Sequence, residues 1–467
     1  VKPPAVPGPS AAVAPPLPGP AAPGRIHIEF DERVPAEFVH LVEGRIIDDD
    51  SLDAWVDLPG NAELLRQGAA RRELDREDLR ENLWHSILAH ASRRGRGLGS
   101  LVFDPTGDLI RMLDELSARE AEIDRRVAER LETYLPEGAA EIHAVVRLHL
   151  GGTWDARTHD DIYLNLSFLH DYAAPWFGGL EGILGHEITH IVHRQLDGPP
   201  EDAVTPEGLF AVALAQIHSE GIARHVQSGL LDGVYPPRTY AAFVALRYQE
   251  DLAGFSSALR HTEELREACL DRADAVTCRK LIQSGLWRGG ETYAVGHGMA
   301  KAIESALGRK TLASTFAAGG AKFFELYVQA TRMLPGLPRL SEAFEKALPG
   351  ADAVLAGMRE RWKVRREGRL AFERRDYAAA ESAWRRVTAL DPADAIGAYN
   401  LACALARLGD DGGALEWLER SIRLGYADRA FMASDPDLDS LREGRSYRRF
   451  LDLLGSVSPA PPNSSRK

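Results

Sequence analysis

Two histidines four residues apart enclose a glutamate in the stretch Leu180-Glu-Gly-Ile-Leu-Gly-His-Glu-Ile-Thr-His-Ile-Val-His-Arg-Gln195. On a helix, positions i and i+4 differ by about 40° and one turn, so the imidazoles of His186 and His190 point the same way. Two neutral imidazoles so placed can share one Zn²⁺ at ~2.0–2.1 Å. Glu187 projects from the neighbouring angle, where it can take a proton from a water on the ion. Leu184, Ile188, Ile191 and Val192 fall on the opposite face, which can anchor in a core while the histidines open to a cleft. The alternative is a surface helix with two solvated histidines. His193 lies too far along the axis to join the same ion easily, and its expected place is behind the pair or on the surface.

A catalytic zinc wants three protein ligands and one open position. The next candidate segment is Leu214-Ala-Gln-Ile-His-Ser-Glu-Gly-Ile-Ala-Arg-His225, where Glu220 is the chosen third ligand. Gly221 beside it is expected to let this helix approach the histidine helix closely. His218 and His225 are rivals without an adjacent glycine. Farther on, Glu291-Thr-Tyr-Ala-Val-Gly-His-Gly-Met-Ala300 offers Tyr293, or else His297, as a group to stabilise an oxyanion; plain packing would explain either residue as well. No G-x-S-x-G elbow or phosphate-binding loop competes with this chemistry.

Elements must hold these side chains. The chain of 467 residues is long enough for two or three domains. The first 24 residues hold nine of its 27 prolines and read as an extended linker. From 25 to 356 the pattern is that of one mixed domain. Arg25–Phe30, Ile142–Leu150 and Asp161–Ser167 alternate like strands, stretches 60–95 and 108–134 are helical, and helices dominate after Pro175. The strand in Asp-Ile-Tyr-Leu-Asn-Leu-Ser-Phe168 reads either as an edge strand able to pair with an extended substrate or as an ordinary interior strand. This is an α+β layout, mostly helical with a small sheet. An all-α region from 357 to 455 and a disordered tail from 456 to 467 follow.

Composition narrows the partners. With 56 basic against 69 acidic residues the formal charge is −13, which argues against nucleic acid as the main partner. The local run Arg93-Arg94-x-Arg96 reads as a solvated loop. No apolar run reaches the roughly 18 residues of a membrane helix. Cys269 and Cys278 lie close enough to bridge or to remain free thiols, whereas Cys403 sits in an apolar helix as a buried thiol. The chain opens at Val1; a removed secretory or lipid-anchor segment ahead of the Pro/Ala spacer fits, and so does a longer chain cut arbitrarily. A secreted, periplasmic or lipid-anchored location is favoured over the cytoplasm.

Two resemblances follow from these residues. His186-Glu-Ile-Thr-His190 followed by the helical Ser219-Glu-Gly-Ile-Ala223 resembles the gluzincin group of zinc metallopeptidases, whose third ligand is a glutamate. The resemblance implies a zincin-like domain holding one Zn²⁺ on His186, His190 and Glu220, with Glu187 as general base and a peptide or protein as substrate. Tyr293-x-x-Gly296 before a helix resembles the segment that returns to the metal in such peptidases. In familiar gluzincins an aspartate four residues after the ligand glutamate orients a ligand histidine; Arg224 stands there, so an orienting carboxylate is expected from elsewhere. At the C-terminal end, Arg366–Pro392 recurs 34 residues later, with Gly368 matching Ala402, Asp376 Asp410, Ala380 Ala414, Trp384 Leu418 and Leu390 Leu424. This resembles tetratricopeptide repeats over about 365–428, with 429–455 as capping helices, and implies docking of a protein partner or substrate. A non-catalytic interaction scaffold in which the repeats carry the function is the alternative.

Overall fold

The computed structural model describes residues 25–443 apart from 72–73, 93–106, 137–138, 153, 160, 199–202, 232, 288–289 and 427, together with 449, 452 and 455. The expected linker 1–24, the run Arg93–Arg96, the tail 456–467 and most of 444–455 lie outside the described residues. In chain order the elements are β1 (Ile26–Asp31), α1 (Arg33–Gly44), α2 (Asp49–Val56), α3 (Ala62–Arg71), α4 (Arg76–Ser92) and α5 (Gly107–Glu132). Next come β2 (Ile142–His149), β3 (Ala156–Thr158), β4 (Ile162–Asn165), α6 (Leu166–His170), α7 (Leu180–Leu196), α8 (Pro206–Ser228), α9 (Tyr240–Arg266) and α10 (Ala275–Trp287). The remainder is helical: α11 (Glu291–Leu307), α12 (Arg309–Ala318), α13 (Gly320–Met333), α14 (Glu342–Glu373), α15 (Tyr377–Leu390), α16 (Ala395–Arg407), α17 (Asp411–Arg423), α18 (Arg429–Ser434) and α19 (Asp439–Glu443).

The four strands form one sheet in the order β1-β2-β4-β3. β1, β2 and β4 are mutually parallel, so the chain needs crossovers between them, and α1 to α5 supply the long one from β1 to β2. β2 shows the alternation that marks a half-buried strand, with Ile142, Ala144, Val146 and Leu148 buried between more open neighbours. The segment from Asp161 is an interior strand, because β4 is flanked by β2 and β3 and all four of its residues are buried. The edge strands are β1 and β3, and β3 pairs antiparallel with β4 as Ala156 to Leu164 and Thr158 to Ile162. β3 leaves no mark in the sequence pattern because three residues carry no period. The expected strand residues 166–167 open α6, where the Asn165 side chain accepts from the Phe168 N–H as an N-cap.

Buried apolar residues from Ile26 to Leu355 form one core. A second core runs from Val364 to Leu441. The expected division at 356/357 falls inside α14, which spans both without a break. Beyond it, α14, α15, α16 and α17 pack consecutively on one another across short turns. Small residues sit at the contacts: a Cβ on Gly368 would come within 2.7 Å of the Trp384 ring, and Ala380, Ala402 and Ala414 are fully buried. Cys269 and Cys278 are joined in a disulfide that ties the end of α9 to α10, and Cys403 is a buried free thiol. No helix among the described residues is long and apolar enough to cross a membrane.

Candidate metal centre and its cleft

α7 is anchored at its first turn. Gly179 caps it with φ 86°, and a Cβ there would lie 2.8 Å from Ala241 and from Leu231. The buried Glu181 carboxylate takes Arg119 at 2.8 Å and Arg126 at 3.3 Å, both from α5, and as an anion it suits the helix N-terminus. Leu184, Ile188 and Val192 are buried on the back face, so the histidine face is left to the cleft. α8 crosses beneath, started by Thr205, whose hydroxyl accepts from the Gly208 N–H, and by Pro206 at its first position.

The structure brings His186, His190 and Glu220 together: one ligand atom from each lies within 4.8 Å of the others. The His186 and His190 Nε2 atoms are 3.1 Å apart, and Glu220 Oε2 lies 3.4 Å from the first and 3.5 Å from the second. Donors arranged tetrahedrally around Zn²⁺ at ~2.0–2.1 Å sit about 3.3–3.4 Å from each other, so the donor set fits such an ion. Glu220 Oε2 is moreover buried without a hydrogen-bond partner, as is His186 Nδ1. An uncompensated buried carboxylate is costly unless paired or coordinating. Burial alone would raise the Glu220 pKa, but His190 and His186 outweigh it and hold this carboxyl below the usual carboxylate range. It is therefore ionised, as a ligand must be.

The orienting group expected to be a carboxylate is a hydroxyl: Ser219 Oγ lies 3.0 Å from His190 Nδ1. Nothing in the sequence marks a serine in a helix interior for this role, beyond its place next to Glu220. The close approach expected of Gly221 is also real but directed elsewhere. A Cβ there would lie 2.4 Å from the backbone of Gly296, and one on Gly296 would lie 2.2 Å from the Ile217 carbonyl oxygen. The pair forms a seam between α8 and α11. The approach of α7 to the end of α8 rests on Gly185, whose Cβ would meet Leu230 at 2.5 Å.

Glu187 is nearly buried, and the Thr158 hydroxyl donates to its Oε2 and, at 3.2 Å, to its main-chain oxygen. The end of the edge strand β3 thus steadies the expected general base. Tyr293 lines the same cleft, a cavity of about 540 Å³ whose walls also include Trp154 to Thr158, and Leu355, Met358 and Arg359 from α14. The Tyr293 pKa is pushed up, first by the Glu220 carboxylate and then by burial, so the phenol keeps its proton.

The other histidines stay out of the ligand cluster, although His193 lines the cleft beside it. His297, the second oxyanion candidate, is absent from the cleft lining; it is 2% exposed, with its ring 6.0 Å from His225 and 5.8 Å from Tyr248. One turn beyond Tyr293 on α11, it has been carried past the cleft. Burial pushes its pKa down to about 3, which excludes an imidazolium there at neutral pH. Of the rivals to Glu220, His218 is fully buried and its Nε2 lies 2.9 Å from Thr315 Oγ1, while His225 is bound to Glu304. His193 is buried, 4.7 Å from the His218 ring and 4.4 Å from Phe316.

No curated protein and no solved structure matches the chain. Residues 52–336, more than half of it and inclusive of the cleft elements from α3 to α11 but not of α14, match a family described as "Putative zinc dependent peptidase (DUF5700)". The cleft with its His-His-Glu cluster is thus found in a chain that belongs to this zinc-dependent peptidase family.

Proposed function

We propose that the chain is an HExxH peptidase of the gluzincin type, hydrolysing peptide bonds in this cleft, with one Zn²⁺ held by His186, His190 and Glu220. The single observation that carries the reading is the convergence of those three ligand atoms beside Glu187 in one open cleft. When bound, zinc supplies Lewis acidity, which polarises a carbonyl and lowers the pKa of a water to about 7. Glu187, held by Thr158, accepts the proton as the water oxygen attacks the carbonyl carbon, and passes it to the leaving nitrogen as the C–N bond breaks. Tyr293 donates its hydroxyl proton in a hydrogen bond to the carbonyl oxygen as that atom gains charge. An extended substrate can lie along β3, the edge strand beside α7.

The helix pairs from the end of α14 onward read as tetratricopeptide-like repeats that dock a partner or substrate. Their 34-residue recurrence and the buried small residues at 368, 380, 402 and 414 support that reading. The disulfide favours an oxidising compartment, secreted or periplasmic. Hydrolysis of a generic unfolded protein by wild type and Glu187→Gln tests the catalytic reading. Wild type is expected to cleave, and the variant to be slower by about 10²–10⁴-fold. Equal rates would refute the assignment and leave the interaction scaffold.

A further inference from the structure

The cation at position 224 is the least expected charge near the centre. It sits on α8 one turn beyond Glu220, with its guanidinium Nε 3.2 Å from Asp251 Oδ2 on α9. The side chains of Arg224 and Asp251 are 15% and 7% exposed. Taking an ion pair out of water gains little by itself, so a buried arginine invites a search for what else it touches. The guanidinium carbon lies 4.8 Å from the centre of the Tyr293 ring and 5.3 Å from that of Tyr248. An aspartate at 224 would instead set a second carboxylate against Asp251, with Arg247 as the remaining cation acting on it. The departure at 224 and the carboxylate at 251 are therefore one arrangement.

We propose that Arg224 is a positioning residue: it fixes the Tyr293 ring and polarises its phenol toward donation, so that the hydroxyl meets the carbonyl oxygen in the transition state. The proposal rests on the reading of Tyr293 as the oxyanion donor. A glycine seam and a cation place that ring, and an ion pair backs the cation. Gly221 and Gly296 set the distance between α8 and α11. Arg224 covers the ring with a cation, an attraction that strengthens when both partners are out of water. Asp251 pairs with the guanidinium as its counter-charge. The tyrosine stays neutral throughout; what changes is how readily it shares its proton with a developing negative charge.

A mutant cycle on the zinc-loaded chain tests this, with kcat and KM read on one peptide for R224M, Y293F and the double variant. Y293F is expected to lower kcat about 100-fold. R224M is expected to lower kcat about tenfold at a KM within about twofold of wild type, and R224K to lie within about threefold of wild type. In the Y293F background, R224M should change kcat by less than about twofold, because the group it acts through is gone. If the tenfold loss appears equally in both backgrounds, Arg224 is only a strut between α8 and α9 and the proposal is overturned. If Y293F turns over like wild type, the reading of Tyr293 falls and takes the proposal with it. Should R224M lose its helical circular dichroism, R224Q carries the same cycle, with a loss of about tenfold in the wild-type background that must vanish beside Y293F.

Discussion

Gly221→Ala probes the packing that brings the tyrosine to the metal ligands. The added Cβ would lie 2.4 Å from Gly296 Cα and C and 2.6 Å from its oxygen, all of them backbone atoms. Non-bonded carbons rest about 3.5–4.0 Å apart, so α8 and α11 must part by roughly 1 Å. Overpacking of this kind costs about 1–3 kcal/mol of stability. A shift of about 1 Å in a catalytic group costs on the order of 100-fold in rate. The seam with α7 lies elsewhere, at Gly185 and Leu230, so the ligand set should keep its ion. The expected outcome is a chain with wild-type zinc content by elemental analysis, a lower melting temperature, and kcat reduced about 100-fold on a quenched-fluorescence peptide. Gly296→Ala should reproduce it from the other helix. Gly254→Ala, on α9 with nothing within 4 Å of its added carbon, should be neutral or slightly stabilising. Wild-type turnover and melting in both seam variants would refute the reasoning.

Two further outcomes follow from burial and cross-linking. His149 is fully buried and its pKa is pushed down to about 3 by that burial, against an opposing pull from Glu63. The folded state keeps it neutral while the unfolded chain takes up a proton below about 6.5, so stability is lost as pH falls from there toward the folded value. Between pH 6.5 and 4.5 His149→Phe should lose about 2–3 kcal/mol less stability than wild type in urea titrations; parallel curves would contradict this. Reducing the bridge between Cys269 and Cys278, nine positions apart, should cost about 3 kcal/mol by the loop-closure argument. An unchanged urea midpoint with both thiols titrating as reduced would contradict that.

What could be read from sequence was what is local. His186, Glu187 and His190 share one helix, so their spacing alone determines which way they point. The alternation in β1 and β2 was equally visible, and so were α5 and the small residues recurring at 34 positions. What escaped depends on which element lies beside which. Glu220 was chosen partly through Gly221, yet that glycine serves the contact with α11 rather than the one with α7. Asp161–Ser167 carried no sign of which strands flank it, and a three-residue edge strand leaves no period to detect. Thr158 and Ser219, which steady Glu187 and His190, are ordinary residues made important by neighbours 29 positions away. His297 shows the limit from the other side. It was a fair chemical candidate, yet it lies in the buried interior beside His225 and Tyr248.

Zinc K-edge X-ray absorption on the purified, dialysed chain tests the metal assignment most directly. One zinc per chain is expected, surrounded by light atoms at ~2.0–2.2 Å with the outer-shell signature of two imidazoles. His190→Ala should lose the ion, and Glu220→Gln should hold it more weakly. A wild-type chain that retains no zinc, or a spectrum showing sulfur ligands, would contradict a site built from His186, His190 and Glu220.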